Sequence, residues 1–227
     1  LPARAHQTTE DIMAQVPTRS TFFIPSAFGA PVATTVVSNA NPAVVTAAAH
    51  GFANGDVVEI TSGWGRLNKR YFEVTGVATN TFNLRDMDTT NTTIYPAGTG
   101  LGSVRRVTAF TQITTVMNPQ TQGGDPRQVT YRFLESDVEF SINDGFAAST
   151  FSLELDADSI GTAGYTALKN QTELQTDTCL RINLPNGSKI YFPCTVALNE
   201  AVRMTDGQIN RVSVVFNSNN RLTRYAN

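Results

Sequence analysis

Charge is scarce in this chain. Only 16% of its 227 residues are Asp, Glu, Lys or Arg, the formal balance is −2, and no basic run exceeds the pair Arg105 and Arg106. A protein that grips nucleic acid needs a basic footprint to neutralise phosphates, so the composition argues against adhesive DNA binding. Histidine and cysteine are scarcer still: His6, His50, Cys179 and Cys194 are the full set. They lack the paired spacing of a structural zinc site, and neither a metal nor a cofactor is expected. No apolar run approaches the ~20 residues of a membrane span. The start, Leu1 to Gln7, lacks the apolar stretch of a secretory signal. Assembly in the cytoplasm is the expectation.

What the chain has in abundance is Thr, Asn, Ser, Ala and Val, the mixture of half-buried strands joined by polar turns, which predicts a mainly β protein. Residues 1–20 are polar and broken by Pro2 and Pro17, and read as an arm in which Thr9 caps a turn holding Ile12, Met13 and Val16. With the strand at Phe22, Phe23 and Ile24, the arm makes up a first segment of 1–35. Residues 36–107 change to very short strands punctuated by Gly and Asn: Val44-Val45, Val57 to Ile60, Tyr71 to Val74 and Phe82 to Leu84. That spacing predicts a small barrel-like module. Asp86 to Gly102 reads as a polar loop that, like the arm, buries too little apolar surface to order outside an assembly.

The segment 108–227 carries the strongest alternation. Val129, Tyr131 and Phe133 fall on odd positions and Val138, Phe140 and Ile142 on even ones, so a bulge or a turn must lie near Leu134 to Asp137. With a bulge, Glu135, Asp137 and Glu139 share one polar strand face. Asp144-Gly145 reads as a hairpin turn into Phe151, Leu153 and Leu155. A short helix is predicted near 163–171, started by Asp158 or Thr162, with Ile160, Ala163, Ala167 and Leu168 on one side. Two strands then flank Pro185-Asn186-Gly187-Ser188. A two-residue Asn186-Gly187 turn sets Cys179 opposite Cys194, while a longer loop shifts the register. In the first register Leu180, Ile182 and Leu184 lie on one face and Ile190, Phe192, Cys194, Val196 and Leu198 on the other. Such a sheet needs two covers, the second being a facing sheet or a neighbouring subunit. Val212, Val214 and Phe216 form the last strand, before a polar tail from Asn217 to Asn227.

From Gln128 to Asn217 this order resembles the tail tube proteins of long non-contractile phage tails. The likeness rests on Tyr165-Thr166-Ala167-Leu168-Lys169 followed by Cys179-Leu180-Arg181-Ile182 and Leu184-Pro185-Asn186-Gly187. The middle segment, around His50-Gly51-Phe52-Ala53-Asn54-Gly55-Asp56 and Tyr71-Phe72-Glu73-Val74, resembles a small β module that recurs in phage virion proteins and is similar in shape to part of ubiquitin-activating enzymes. The resemblance implies a β-sandwich or barrel with one flanking helix, forming hexameric rings stacked into a virion tail tube. It also implies DNA passing through without specific binding, and a tape-measure protein and a tail terminator as partners. The early module would sit on the exterior or replace an inter-ring loop. Channel-lining candidates are then Glu135, Asp137 and Glu139, and subunit-interface candidates are Ile190, Phe192 and Val196.

Catalysis finds little support. His50 sits in a turn with Asp56 as its only nearby acid, which favours turn stabilisation over acid–base work. Cys179 and Cys194 read as buried free thiols. Trp64, between Gly63 and Gly65, is the residue that an alternative reading would use, as a sugar-stacking platform of a glycan- or receptor-binding baseplate component.

Overall fold

The computed structural model describes residues 17–227. The turn expected at Thr9 to Val16 lies outside the described residues. The fold is mainly β, with one α-helix and a large curled antiparallel sheet.

The first strand, β1 (Thr21–Phe28), is followed by the short β2 (Val32–Thr34), β3 (Val36–Val37) and β4 (Val44–Thr46), then β5 (Val57–Ser62), β6 (Arg70–Thr75) and β7 (Thr81–Leu84). A long β8 (Gly102–Ile113) leads to β9 (Val116–Gly123), β10 (Pro126–Tyr131), β11 (Phe140–Phe146) and β12 (Ser149–Asp156). Helix α1 (Ala163–Leu174) precedes β13 (Thr178–Asn183), β14 (Lys189–Arg203), β15 (Arg211–Ser218) and β16 (Thr223–Tyr225). One sheet runs β3-β4-β7-β6-β5-β8-β1-β13-β14-β15-β12-β9, with β2 added to β8 and β16 to β14.

Strand β8 joins the two halves. Its first part pairs with β5, from Val58 opposite Arg106 to Ser62 opposite Gly102, and its second part pairs with β1, from Phe28 opposite Val107 to Phe22 opposite Ile113. The limit expected at residue 107 therefore falls inside a continuous strand. On one side of β8 the module closes over its own core of Val45, Phe52, Ile60, Trp64, Phe72 and Phe82. On the other, the curled sheet and α1 enclose Ile24, Leu153, Leu168, Leu180, Val214 and Phe216. Each fully buried aliphatic or Phe side chain in these cores contributes about 1.5–3 kcal/mol.

Helix α1 begins where Thr162 Oγ1 accepts the Tyr165 N–H and ends at Gln175 in the left-handed region, whose N–H returns to Gln171. Its buried face is Gly164, Tyr165 and Leu168, while Ile160, expected on that face, is 67% exposed. Gly164 lies so close to the Gln112 carbonyl on β8 that a Cβ there would collide with it.

Around Gly187 the chain departs from the two-residue turn. Leu184 N–H bonds to Ser188 O at 2.9 Å, Gly187 N–H bonds to Leu184 O at 3.0 Å, and Gly187 has φ 85°. The loop is thus three residues long with a glycine bulge, and the register becomes Leu180 opposite Phe192 and Cys179 opposite Pro193. A slip of one residue exchanges faces. Leu180 and Ile182 consequently share the interior with Phe192, Cys194 and Val196, which corrects the expectation of two separate apolar faces. Cys179 points the opposite way from Cys194, and both are free and buried.

Two further expectations are corrected. Asp144-Gly145 is a bulge inside β11, not a hairpin turn, and β11 pairs with β10 instead of β12. The segment Asp86 to Gly102 is integral to the module, since Met87, Thr89 and Tyr95 on it are buried.

Candidate assembly surfaces

The module packs against the outer face of the main sheet through Val57, Tyr71, Val107, Cys179, Tyr191 and Tyr225. At the centre of this junction Glu73 is buried and accepts from Arg85 at 2.7 Å, Lys189 at 2.9 Å and the Tyr191 hydroxyl at 3.0 Å. Burial pushes its carboxyl up, but the bonds from Lys189, Arg85 and Tyr191 outweigh this and hold it below the ordinary glutamate range. The Glu73 backbone N–H donates to the Tyr225 hydroxyl at 3.1 Å, and Arg85 stacks over the Tyr225 ring at 4.8 Å. Asn220 Nδ2 adds bonds to the carbonyls of Gly65 and Asn68, each 2.7 Å. The segment expected as a polar tail is therefore a strap, with Thr223 and Tyr225 buried as β16 along β14.

Strands β10 and β11 make the opposite arrangement. They pair only with each other among the described residues, as a ribbon leaving the β9–β12 pair through Gly123 and Gly124, both at positive φ. A Cβ at Gly123 would meet the Ala148 carbonyl, so glycine is needed at this bend. Val129 faces Ile142 and Tyr131 faces Phe140 in register, which gathers all four on one side. The rings of Tyr131 and Phe140 stack at 5.6 Å and Phe133 adds an edge contact at 5.4 Å to Tyr131. All of them are exposed, and Leu134 at the tip is 99% exposed.

The connection between the odd and even apolar positions is a turn instead of a bulge. Glu135, Asp137 and Glu139 accordingly lie in the exposed tip loop of residues 132–139 and not along a strand face. The interface candidates fare differently again. Phe192 at 4% and Val196 at 1% exposure are consumed by the protomer's own core, and Ile190 is half-buried against it, so the structure leaves the first two no surface for a neighbour.

The residues weighed for chemistry are structural. His50 Nδ1 accepts the Phe52 N–H at 3.0 Å, its Nε2 lies 3.1 Å from the Ala78 carbonyl, and Phe52 and Phe82 flank the ring. Asp56 accepts from Ala53 N–H at 2.8 Å and pairs with Arg106 at 3.2 Å, so it serves its own turn and not His50. Trp64 is buried, its indole N–H bonded to the Pro96 carbonyl at 2.9 Å and to Thr99 Oγ1 at 3.0 Å. A ring enclosed in this way presents no stacking face to a sugar. Burial pushes the thiols of Cys179 and Cys194 up, away from the reactive thiolate form.

Sequence reasoning missed the ribbon as a separate unit, the strap at Tyr225 and the role of Glu73. The ribbon was written in the change of parity between Phe133 and Val138, and the strap in the isolated apolar residues Leu222 and Tyr225. Glu73 carried no local signal, since its partners are distant in the chain.

No curated protein matches the chain in sequence. The family model for the phage tail tube protein matches residues 62–227, which takes in the later part of the module, the whole ribbon and all of the curled sheet after β7. The chain, a mainly β structural protein, belongs to the phage tail tube protein family.

Proposed function

We propose that this chain is a tube subunit that closes with copies of itself into hexameric rings, and that the rings stack around a channel for DNA delivery. The observation that carries this reading is the apolar face of the ribbon. Val129, Tyr131, Phe140 and Ile142 are aligned by strand register and left uncovered among the described residues. An isolated two-stranded ribbon is marginal in water, and exposing aligned aromatic rings is costly unless another surface covers them. A second copy of the same chain is always present in a tube, which makes it the natural cover. A tape-measure protein that sets tube length and a terminator that caps it complete the proposed set of partners.

Electron microscopy of the purified protein tests the reading. Wild-type protein should form rings or tubes, and Tyr131→Ser with Phe140→Ser should leave folded monomers that form neither. Tubes of normal length from the double variant would remove the ribbon from assembly. Wild-type protein that stays monodisperse under all conditions would count against a self-assembling subunit.

A further inference from the structure

Strand register places an arginine on the outward face of the main sheet without an acid to meet it. Phe22, Ile24, Leu180 and Ile182 point into the core, so Phe23 on β1 and Arg181 on β13, which stand opposite each other in register, point outward. Phe110 of β8 lies beside them, packed against the module junction. The Arg181 guanidinium lies over both rings, 4.3 Å from the centre of Phe23 and 4.0 Å from that of Phe110. Its Nε is buried and bonds to nothing among the described residues. Glu73, the junction acid whose field reaches it, is already filled by Arg85, Lys189 and Tyr191.

An arginine stays charged even where burial pulls its pKa down, as it does here. A freely exposed guanidinium is served by water, but one pressed against two rings has lost part of that hydration, and an unpaired, partly desolvated charge is unfavourable until an anion meets it. A planar carboxylate suits it, because the guanidinium offers parallel N–H donors in a plane that the rings already fix. The same chain carries acids in the complementary state. The tip loop of the ribbon, residues 132–139, holds Glu135, Asp137 and Glu139 against a single arginine, Arg132. The ribbon's own ion pair, Arg127 with Asp144 at 3.7 Å, lies toward its root and leaves the three tip acids unengaged among the described residues. Leu134 beside them is 99% exposed.

We propose that the outward slot of Phe23, Phe110 and Arg181 receives the ribbon tip of a second copy of this chain, a tip carboxylate pairing with the guanidinium while Leu134 lies against the rings. The inference rests on the tube reading above and names what the ribbon tip meets. Slot and tip are different surfaces of one protomer, so the contact is heterologous: each copy offers a tip to one neighbour and a slot to another, and the pairing propagates instead of closing a dimer. A tube needs contacts of that kind. A small inorganic anion would satisfy the charge of Arg181 but would leave Leu134 in water.

Charge reversal in purified protein, with tubes followed by light scattering and electron microscopy, tests the pairing. Arg181→Glu should raise the protein concentration needed for tubes by roughly tenfold or more, and so, separately, should Glu135→Lys with Asp137→Lys and Glu139→Lys. All four changes together should bring that concentration back toward wild type. Where Arg181→Glu misfolds, Arg181→Met keeps an apolar stem against the rings without the charge; it should weaken assembly, and adding the tip changes to it should cost no further tenfold. Folded Arg181 variants that assemble at the wild-type concentration would overturn the inference, as would a combined variant no better than either parent. Both results leave the tube reading intact, because wild-type tubes are the reference. Rescue of Arg181→Glu by Glu10→Lys with Asp11→Lys, in place of the tip changes, would give the slot to the start of the chain and overturn the inference equally. A wild-type chain that never forms tubes removes the tube reading and this contact with it.

Discussion

The module and the ribbon both leave the main sheet as paired antiparallel strands, yet they treat apolar surface in opposite ways. The module encloses Trp64, Phe72 and Phe82 in its own core and then seals its outer side against the sheet with Tyr71, Tyr191 and Tyr225. Among the described residues the ribbon encloses nothing, and its aromatic side is exposed. The difference separates two uses of an excursion. One whose apolar residues are covered within the protomer adds to the protomer's stability, and one whose residues are not must find its cover in the assembly.

The largest effect should come from exchanging matched aromatic residues across this divide. Tyr191→Ala in the junction removes a buried ring and strands Glu73, and should cost about 3–5 kcal/mol by denaturant unfolding. Phe140→Ala in the ribbon should cost within ~0.5 kcal/mol in the monomer. Equal losses would break the comparison, because they would show the ribbon to be part of the cooperative unit.

A smaller effect is expected at Glu73, whose carboxylate is held below its ordinary range in the folded protein. A depressed folded pKa contributes stability that is complete above the unfolded value of ~4.3. It is lost as pH falls through the lower folded value. Wild-type melting temperature should therefore drop on acidification through that window, and Glu73→Gln should be less stable by about 1–3 kcal/mol at neutral pH with a flatter acid limb. Parallel acid limbs for the two proteins would show that the junction is held by packing alone.

The smallest effect belongs to the tip acids. Converting Glu135, Asp137 and Glu139 to Gln, Asn and Gln should shift stability by less than ~0.5 kcal/mol, since all three are exposed and carry no packing. Tube assembly followed by DNA delivery sharpens the point: intact tubes with impaired delivery would return these acids to the channel wall.

Much of the fold was legible because its signals are local. The alternation in Phe151, Leu153 and Leu155, the same period in Val212, Val214 and Phe216, and the capping threonine at 162 each report on a few neighbouring residues. The burial of Phe192 and Val196 in the protomer's own core was hidden for a reason of equal locality. Whether Phe192 lies opposite Leu180 or Arg181 depends on one residue of loop length at Pro185 to Gly187, and that single step decides which face it enters. The junction was illegible because Glu73 meets Lys189, Tyr191 and Tyr225 across more than a hundred residues of chain, and no spacing rule spans that separation.

Strand β8 carries a mechanical consequence. Its two halves are hydrogen-bonded into the module and into the main sheet in turn, so a pull on the module along this strand is borne as shear by many ladder bonds together, instead of being unzipped one by one. The module is thus joined to the main sheet through a continuous hydrogen-bonded strand, while the ribbon is joined through the Gly123-Gly124 bend. Force applied to the module therefore passes directly into the main sheet, while force on the ribbon passes through two glycines.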